Sequence, residues 1–311
     1  MMTFRLDEVF SSIYRAANVI PVEGFSTRMR FGEHPSQFRG DGHDFDRMVE
    51  YDPTKHSLSQ IDWRSIDSKK RLYVRESRVT KDFPVLVLGD VSTSMTFGVD
   101  NQHKERLLLE VIGDIGLAAF HSQDPMGFIG FAESAVFDEE PRIGEDNVYY
   151  VIEQVYDFFK GLRSDGRGKL NRRKTDFQHV FDLVNRKYAN SHCFIAVISD
   201  FIGAESLASS QVLRDLADRH EVVFIFIDDP EEFNVGGKLG YLRVENIEKE
   251  GDRAVVLLRK MPQIGLKARQ RRREFRKVLE SLRIDSIVLE YGKHFSRLHR
   301  FFLARQESFR A

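Results

Sequence analysis

Four apolar runs limit what this chain can fold into more than any other feature. PVLVLGD (84–90), GFIGFA (127–132), CFIAVISD (193–200) and EVVFIFIDD (221–229) are continuous rather than alternating, and three of them end in an acid. A strand with apolar side chains on both faces has to be covered on both faces, the condition of a parallel sheet flanked by helices. Helix-length segments separate the runs, at 105–120, 148–159, 177–188 and 206–220. Alternation of that kind predicts an α/β fold: a mostly parallel sheet with helices on both faces and right-handed crossovers. Ser134 to Asp138 follows its neighbouring run too closely for a crossover helix, so an antiparallel edge strand is expected there.

The flanks read differently. Leu6, Val9, Phe10, Ile13 and Tyr14 recur at steps of three and four, the spacing of a short amphipathic helix with one face to bury. From Gly32 to Ser68 the chain is rich in Gly, Pro, Asp, His and Ser and keeps neither period, so an irregular arm is expected, leading into an edge strand at RLYVRE (71–76). Beyond Pro230, YLRVENIEKEGDRAVVLL places two strand-like runs about Glu250-Gly251-Asp252, a hairpin signal. A charged helix at 267–282, a last strand at 284–291 and a terminal helix at 295–306 follow. The division expected is residues 1–81 as N-terminal helix and irregular arm, and 82–311 as the α/β domain, with a hairpin and helix extension from about 231.

Composition excludes several classes. The 47 basic and 48 acidic side chains give a net charge of −1, so nothing demands a polyanionic partner. With 41% hydrophobic residues and 26 phenylalanines the chain has material for a large core. Cys193 is the only cysteine, which rules out an intrachain disulfide framework and a thiolate zinc cluster. Arg5, Asp7, Glu8 and Arg15 interrupt the first segment, and no stretch reaches the roughly 18 uncharged apolar residues of a membrane span. These features lead to the expectation of a cytoplasmic protein.

Chemistry is expected at the carboxyl ends of the strands, where open parallel sheets bind ligands. Asp90-Val91-Ser92-Thr93-Ser94 stands where the first buried strand ends, Lys174-Thr175-Asp176 precedes a helix, and Ser199-Asp200 closes a third strand. A carboxylate and two hydroxyls at alternate positions can turn three oxygens to one point, and hard cations select oxygen. The same residue types also serve turns and helix N-caps, and Thr175 could be the N-cap of its helix.

On these residues the chain resembles a von Willebrand factor type A domain with a metal-ion-dependent adhesion site. Asp90, Ser92 and Ser94 match its D-x-S-x-S element, Thr175 its threonine and Asp200 its later aspartate. Phe201 stands where that pattern commonly has glycine, and the glycines usual before the threonine are missing. Gly40-Asp41-Gly42-His43-Asp44-Phe45, Arg47, Tyr51-Asp52-Pro53, Ile61-Asp62-Trp63-Arg64 and Leu72-Tyr73-Val74-Arg75-Glu76 resemble the N-terminal signature of a bacterial family of unknown function, the DUF58 type. Its members are von Willebrand A-like proteins usually encoded beside MoxR-type AAA+ ATPases.

The resemblance implies a Rossmann-like domain that holds Mg²⁺, with Mn²⁺ or Ca²⁺ as alternatives, on Asp90, Ser92, Ser94, Thr175 and Asp200. It also implies a protein partner whose Asp or Glu carboxylate completes the coordination, with a MoxR-type AAA+ ATPase as the expected collaborator. Arg163, Arg167, Lys169, Arg172, Arg173 and Lys174, offset by Asp165, form a basic loop that is either solvated or steers that acidic partner. Nucleic acid is disfavoured, since no aromatic residues interleave in the loop to stack bases. The serine-hydrolase elbow, the P-loop and the dinucleotide turn have no match, so no enzyme is expected. Metal-dependent hydrolysis on the same cage is the alternative.

Overall fold

The computed structural model describes residues 4–19, 39–40, 44–52, 61, 71–78, 83–96, 103–164, 175–229, 241–245, 253–257 and 261–308. The chain forms two compact units, one of residues 1–31 and 83–311 and one of residues 32–82.

In the larger unit, six strands form one sheet: β4 (Val85–Asp90), β5 (Met126–Phe131), β6 (Ala135–Arg142), β7 (Phe194–Ser199), β8 (Glu221–Asp228) and β11 (Asp285–Glu290). Their order is β11-β8-β7-β4-β5-β6, and all neighbours are parallel except β5 and β6. The mixed α/β, mostly parallel architecture read from the sequence is therefore the observed one, and SAVFD opens the antiparallel edge strand.

Seven helices accompany the sheet among the described residues: α1 (Leu6–Val19), α2 (His103–His121), α3 (Glu145–Ser164), α4 (Phe177–Lys187), α5 (Gln211–Arg219), α6 (Met261–Ser281) and α7 (His294–Ser308). Strand alternation sends Val85, Val87, Val223, Ile225 and Ile227 into one core with Val9, Ile13, Leu108, Ile112, Val151, Val155, Leu298 and Phe302. Leu86, Leu88, Val222, Phe224 and Phe226 enter a second core with Val180, Phe181, Leu213, Leu216, Phe275 and Leu279. Each face is thus dry, which is why the strands read as unbroken apolar runs. The first helix, grouped with the arm in the sequence division, packs Val9 and Ile13 into the large unit.

The two rims of the sheet are guarded differently. At β11, Arg276 of α6 donates to the Ser286 hydroxyl (2.9 Å) and carbonyl (3.2 Å), and Arg297 of α7 donates to the Val288 carbonyl at 3.4 Å. At β6 the outer strand carries Asp138, Glu139, Glu140 and Pro141. An exposed row of unpaired backbone groups invites another strand, and charge, proline and covering side chains suppress that pairing.

Sequence expectations are corrected in three places. The helix expected over 206–220 is a 3-10 turn at Ala204–Ser209 followed by α5, because Ser210 adopts an extended backbone (φ −72°, ψ 128°) that separates the two. The smaller unit contains paired strands where an irregular arm was expected: β1 (Arg39–Gly40), β2 (Asp44–Glu50) and β3 (Tyr73–Arg78) in the order β1-β3-β2. A register shift between Phe45 and Arg47 interrupts the alternation that would have betrayed β2. The third correction is to RLYVRE, which forms the middle strand of that sheet and not an edge.

The expected hairpin is present as β9 (Tyr241–Glu245) and β10 (Arg253–Leu257). Its turn residues, Trp63 with its neighbours Asp62 and Arg64, and residues 165–174 of the basic loop lie outside the described residues.

Candidate functional site

The sheet order reverses between β4 and β7. The chain leaves β4 for β5 on one side and returns through α3 and α4 to β7 on the other, which opens a crevice at the carboxyl ends of these two strands. Asp90 is the last residue of β4, and Asp200 immediately follows β7.

Local hydrogen bonding builds the first loop. Asp90 Oδ1 accepts the Ser92 backbone N–H at 2.8 Å, Met95 N–H reaches the Ser92 carbonyl at 3.2 Å, and a 3-10 turn runs over Thr93–Thr96. Ser92 and Ser94 hydroxyl oxygens lie 3.0 Å apart. The second loop is fixed from both sides. Asp176 N–H donates to the Ala132 carbonyl at 2.8 Å, and Asp176 Oδ1 accepts His179 N–H at 3.1 Å. Asp176 is therefore the N-cap of α4, and Thr175 is not. The Thr175 hydroxyl instead donates to Asp90 Oδ2 at 3.3 Å, where Ser199 Oγ also donates at 2.6 Å.

The third loop turns on backbone strain. Ser199 Oγ accepts Phe201 N–H at 2.9 Å and Asp200 Oδ1 accepts Ile202 N–H at 3.1 Å, a tight turn that puts Phe201 at φ +52°. A left-handed backbone favours glycine, which accounts for the glycine common at this point of the resembling pattern. Phe201 tolerates the position because its ring is buried among Phe177, Phe224, Phe226 and Phe275, with centroids 4.5 to 6.1 Å away.

Electrostatics make the site costly as it stands. Asp90 is fully buried, and burial together with the nearby Asp200 carboxylate pushes its pKa up to about 6, against the pull of its hydrogen bonds from Ser199 and Ser92. Asp200 faces a buried cation that the sequence reading did not single out: Lys104 Nζ lies 3.1 Å from Asp200 Oδ2. Its signal was legible in principle, since a lysine in the first turn of a helix opposes the helix dipole.

The structure thus brings Asp90, Ser92, Ser94, Thr175 and Ser199 into one hydrogen-bonded group, with Asp200 and Lys104 beside it. Its donor set is carboxylate and hydroxyl oxygen, which fits a hard divalent cation. No group of three or more His, Cys, Asp or Glu suited to a metal occurs among the described residues, so a cation held here would need hydroxyl ligands as well.

An α/β protein with an oxygen-lined crevice at its sheet reversal is the class that fold and geometry define. The family model "Protein of unknown function DUF58" matches residues 49–276, and the chain belongs to that family. No curated protein matches the sequence. Among solved structures, the chain is similar to the conserved hypothetical protein BatB from Bacteroides thetaiotaomicron, at 15% identity and a TM-score of 0.38 over 72% of this chain and 99% of that one. It is similar to an aerotolerance-related membrane protein from Bacteroides fragilis NCTC 9343, a form with multiple mutations to serines, at 15% identity and 0.37 over 73% and 96%. An uncharacterized membrane spanning protein from Vibrio fischeri matches at 13% identity and 0.24 over 73% and 100%.

Two of these neighbours are described as membrane proteins, and the cytoplasmic placement expected from the sequence is withdrawn. No helix among the described residues is long and apolar enough to cross a membrane.

Proposed function

We propose that this protein is a metal-ion-dependent protein-interaction module of the von Willebrand A type. Asp90, Ser92, Ser94 and Thr175 would hold Mg²⁺ or Mn²⁺, with Asp200 beside them. The observation that carries this reading is the spacing of the two serine hydroxyls. Ser92 and Ser94 Oγ are 3.0 Å apart and hydrogen-bonded to one another, close enough to serve as neighbouring ligands of one hard cation.

Asp90 and Thr175 converge on the same point from separate loops, and the Asp176 cap leaves the Thr175 hydroxyl facing the crevice. A bound ion supplies an electrophilic centre at the sheet end, and a carboxylate from a partner can complete its shell. The chain's own residues orient that ion and exclude water from its inner side, because Asp90 and Ser92 are buried. The partner we infer, a MoxR-type AAA+ ATPase served in an adaptor or chaperone-like role, follows from the resemblance of residues 40–76 and not from the geometry.

The test has two parts. Mn²⁺ titrated into wild type and Asp90→Ala should bind only the former. Affinity capture with both baits, in Mg²⁺ and in EDTA, should then recover a partner held by wild type in Mg²⁺ alone. Equal capture in all four conditions would sink the adhesion mechanism. Hydrolysis of a model phosphate ester that is lost in Asp200→Ala would favour the hydrolase instead.

A further inference from the structure

We propose that Lys104 is a resident counter-cation of this site, one that neutralises Asp200 in the metal-free protein and opposes the entry of a divalent ion. The inference rests on the metal-binding reading above. Lys104 is 2% exposed and is among the largest fully buried side chains of the molecule. Its ammonium stands 3.1 Å from Asp200 Oδ2, with both side chains at most 2% exposed.

Two physical terms work against a cation here. Burial strips its hydration, and the first turn of α2 places it at the positive end of a helix dipole. A lysine in such a position is stabilised by negative charge, and the fold supplies it: Asp200 in contact, and Asp90 close enough for its carboxyl to feel the Asp200 charge. Remove the ammonium, and Asp200 loses its contacting cation while the Asp90 carboxyl still stands close by.

A divalent ion would deliver the same neutralisation, so ammonium and metal compete for one negative centre. With Lys104 in place the pair of aspartates keeps one uncompensated charge, and a dication leaves the site positive by one. A single carboxylate from outside then brings it to neutrality. Lys104 therefore makes metal retention weak alone and firm in the presence of an acidic partner, which couples the two binding events.

The experiment compares full-length wild type, Lys104→Met, Lys104→Arg and the double variant Asp90→Ala/Lys104→Met by Mn²⁺ calorimetry and by thermal unfolding in EDTA and in Mn²⁺. Lys104→Met should bind Mn²⁺ at least about tenfold more tightly than wild type. It should unfold at a lower temperature than wild type in EDTA and gain more from Mn²⁺. Lys104→Arg, which keeps the charge, should follow wild type, and the double variant should not respond to Mn²⁺. If Lys104→Met does not fold in either condition, Lys104→Gln takes its place under the same expectations.

Wild type binding Mn²⁺ while the neutral variant binds it no more tightly overturns the role of Lys104 and leaves the metal reading standing. Silence from both wild type and the neutral variant overturns both. Binding by the neutral variant alone would place the ammonium as the ion that keeps the site closed to metal.

Discussion

At the residue scale, neighbouring positions in one loop do separable jobs. Thr175 and Asp176 are adjacent, yet the carboxylate caps α4 while the hydroxyl meets Asp90. Asp176→Ala is expected to cost about 1 kcal/mol of stability in urea unfolding, the usual loss of an N-cap, and to leave Mn²⁺ affinity intact. Thr175→Ala should do the reverse, weakening Mn²⁺ binding with little change in the unfolding midpoint. Phe201 poses a different contest, between a left-handed backbone and a buried ring. Phe201→Gly relieves about 1 kcal/mol of strain and forfeits about 3 to 5 kcal/mol of aromatic packing, so a net destabilisation is expected by denaturant titration. A variant as stable as wild type would show that the strain is as large as the packing it opposes. The sequence made Asp90, Ser92, Ser94, Thr175 and Asp200 legible because each follows or precedes an unmistakable strand or helix. It did not expose Lys104, whose ammonium meets Asp200 only when two positions 96 apart in the chain are folded together.

At the element scale, α2 is the hub of one face of the sheet, packed by both α1 and α3. Glycines permit that approach: a Cβ on Gly116 would stand 2.7 Å from Val148 Cγ1 and 2.9 Å from Met126 Sδ. Gly116→Ala should therefore destabilise the protein by about 1 to 3 kcal/mol, outweighing the gain of about 1 kcal/mol in helix propensity. Gly161 in α3 has nothing within 4 Å of its would-be Cβ, so Gly161→Ala should raise the thermal midpoint by the propensity gain alone. Opposite signs for one substitution in neighbouring helices make the pair a direct check on the packing. The helices and buried strands were readable because apolar spacing alone defines them. Strand β2 was not, since its bulge breaks the alternation and its residues are largely charged.

At the scale of the whole molecule, one of the buried titratable groups sets an acid limit. His220 caps the end of α5, is buried, and has no hydrogen-bond partner for either ring nitrogen among the described residues. Burial, with His192 and Arg219 nearby, pushes its pKa down to about 4. Because the folded value lies below the unfolded one of about 6.5, the folded protein binds fewer protons in that window. Stability present above pH 6.5 is lost as pH falls toward 4, by up to roughly 3 kcal/mol. His220→Leu should flatten that limb in urea titrations between pH 7 and 4.5, and equal slopes in the two proteins would refute it. The guarded rims of the sheet carry a last consequence. With arginines over the carbonyls at β11, and proline and acids along β6, neither side welcomes a foreign strand. Growth of the sheet into ribbons or fibres is closed off, so crowding and partial heating should yield reversible unfolding sooner than ordered aggregates. On the proposed function, recognition falls to the carboxyl end of the sheet, where the oxygens gather.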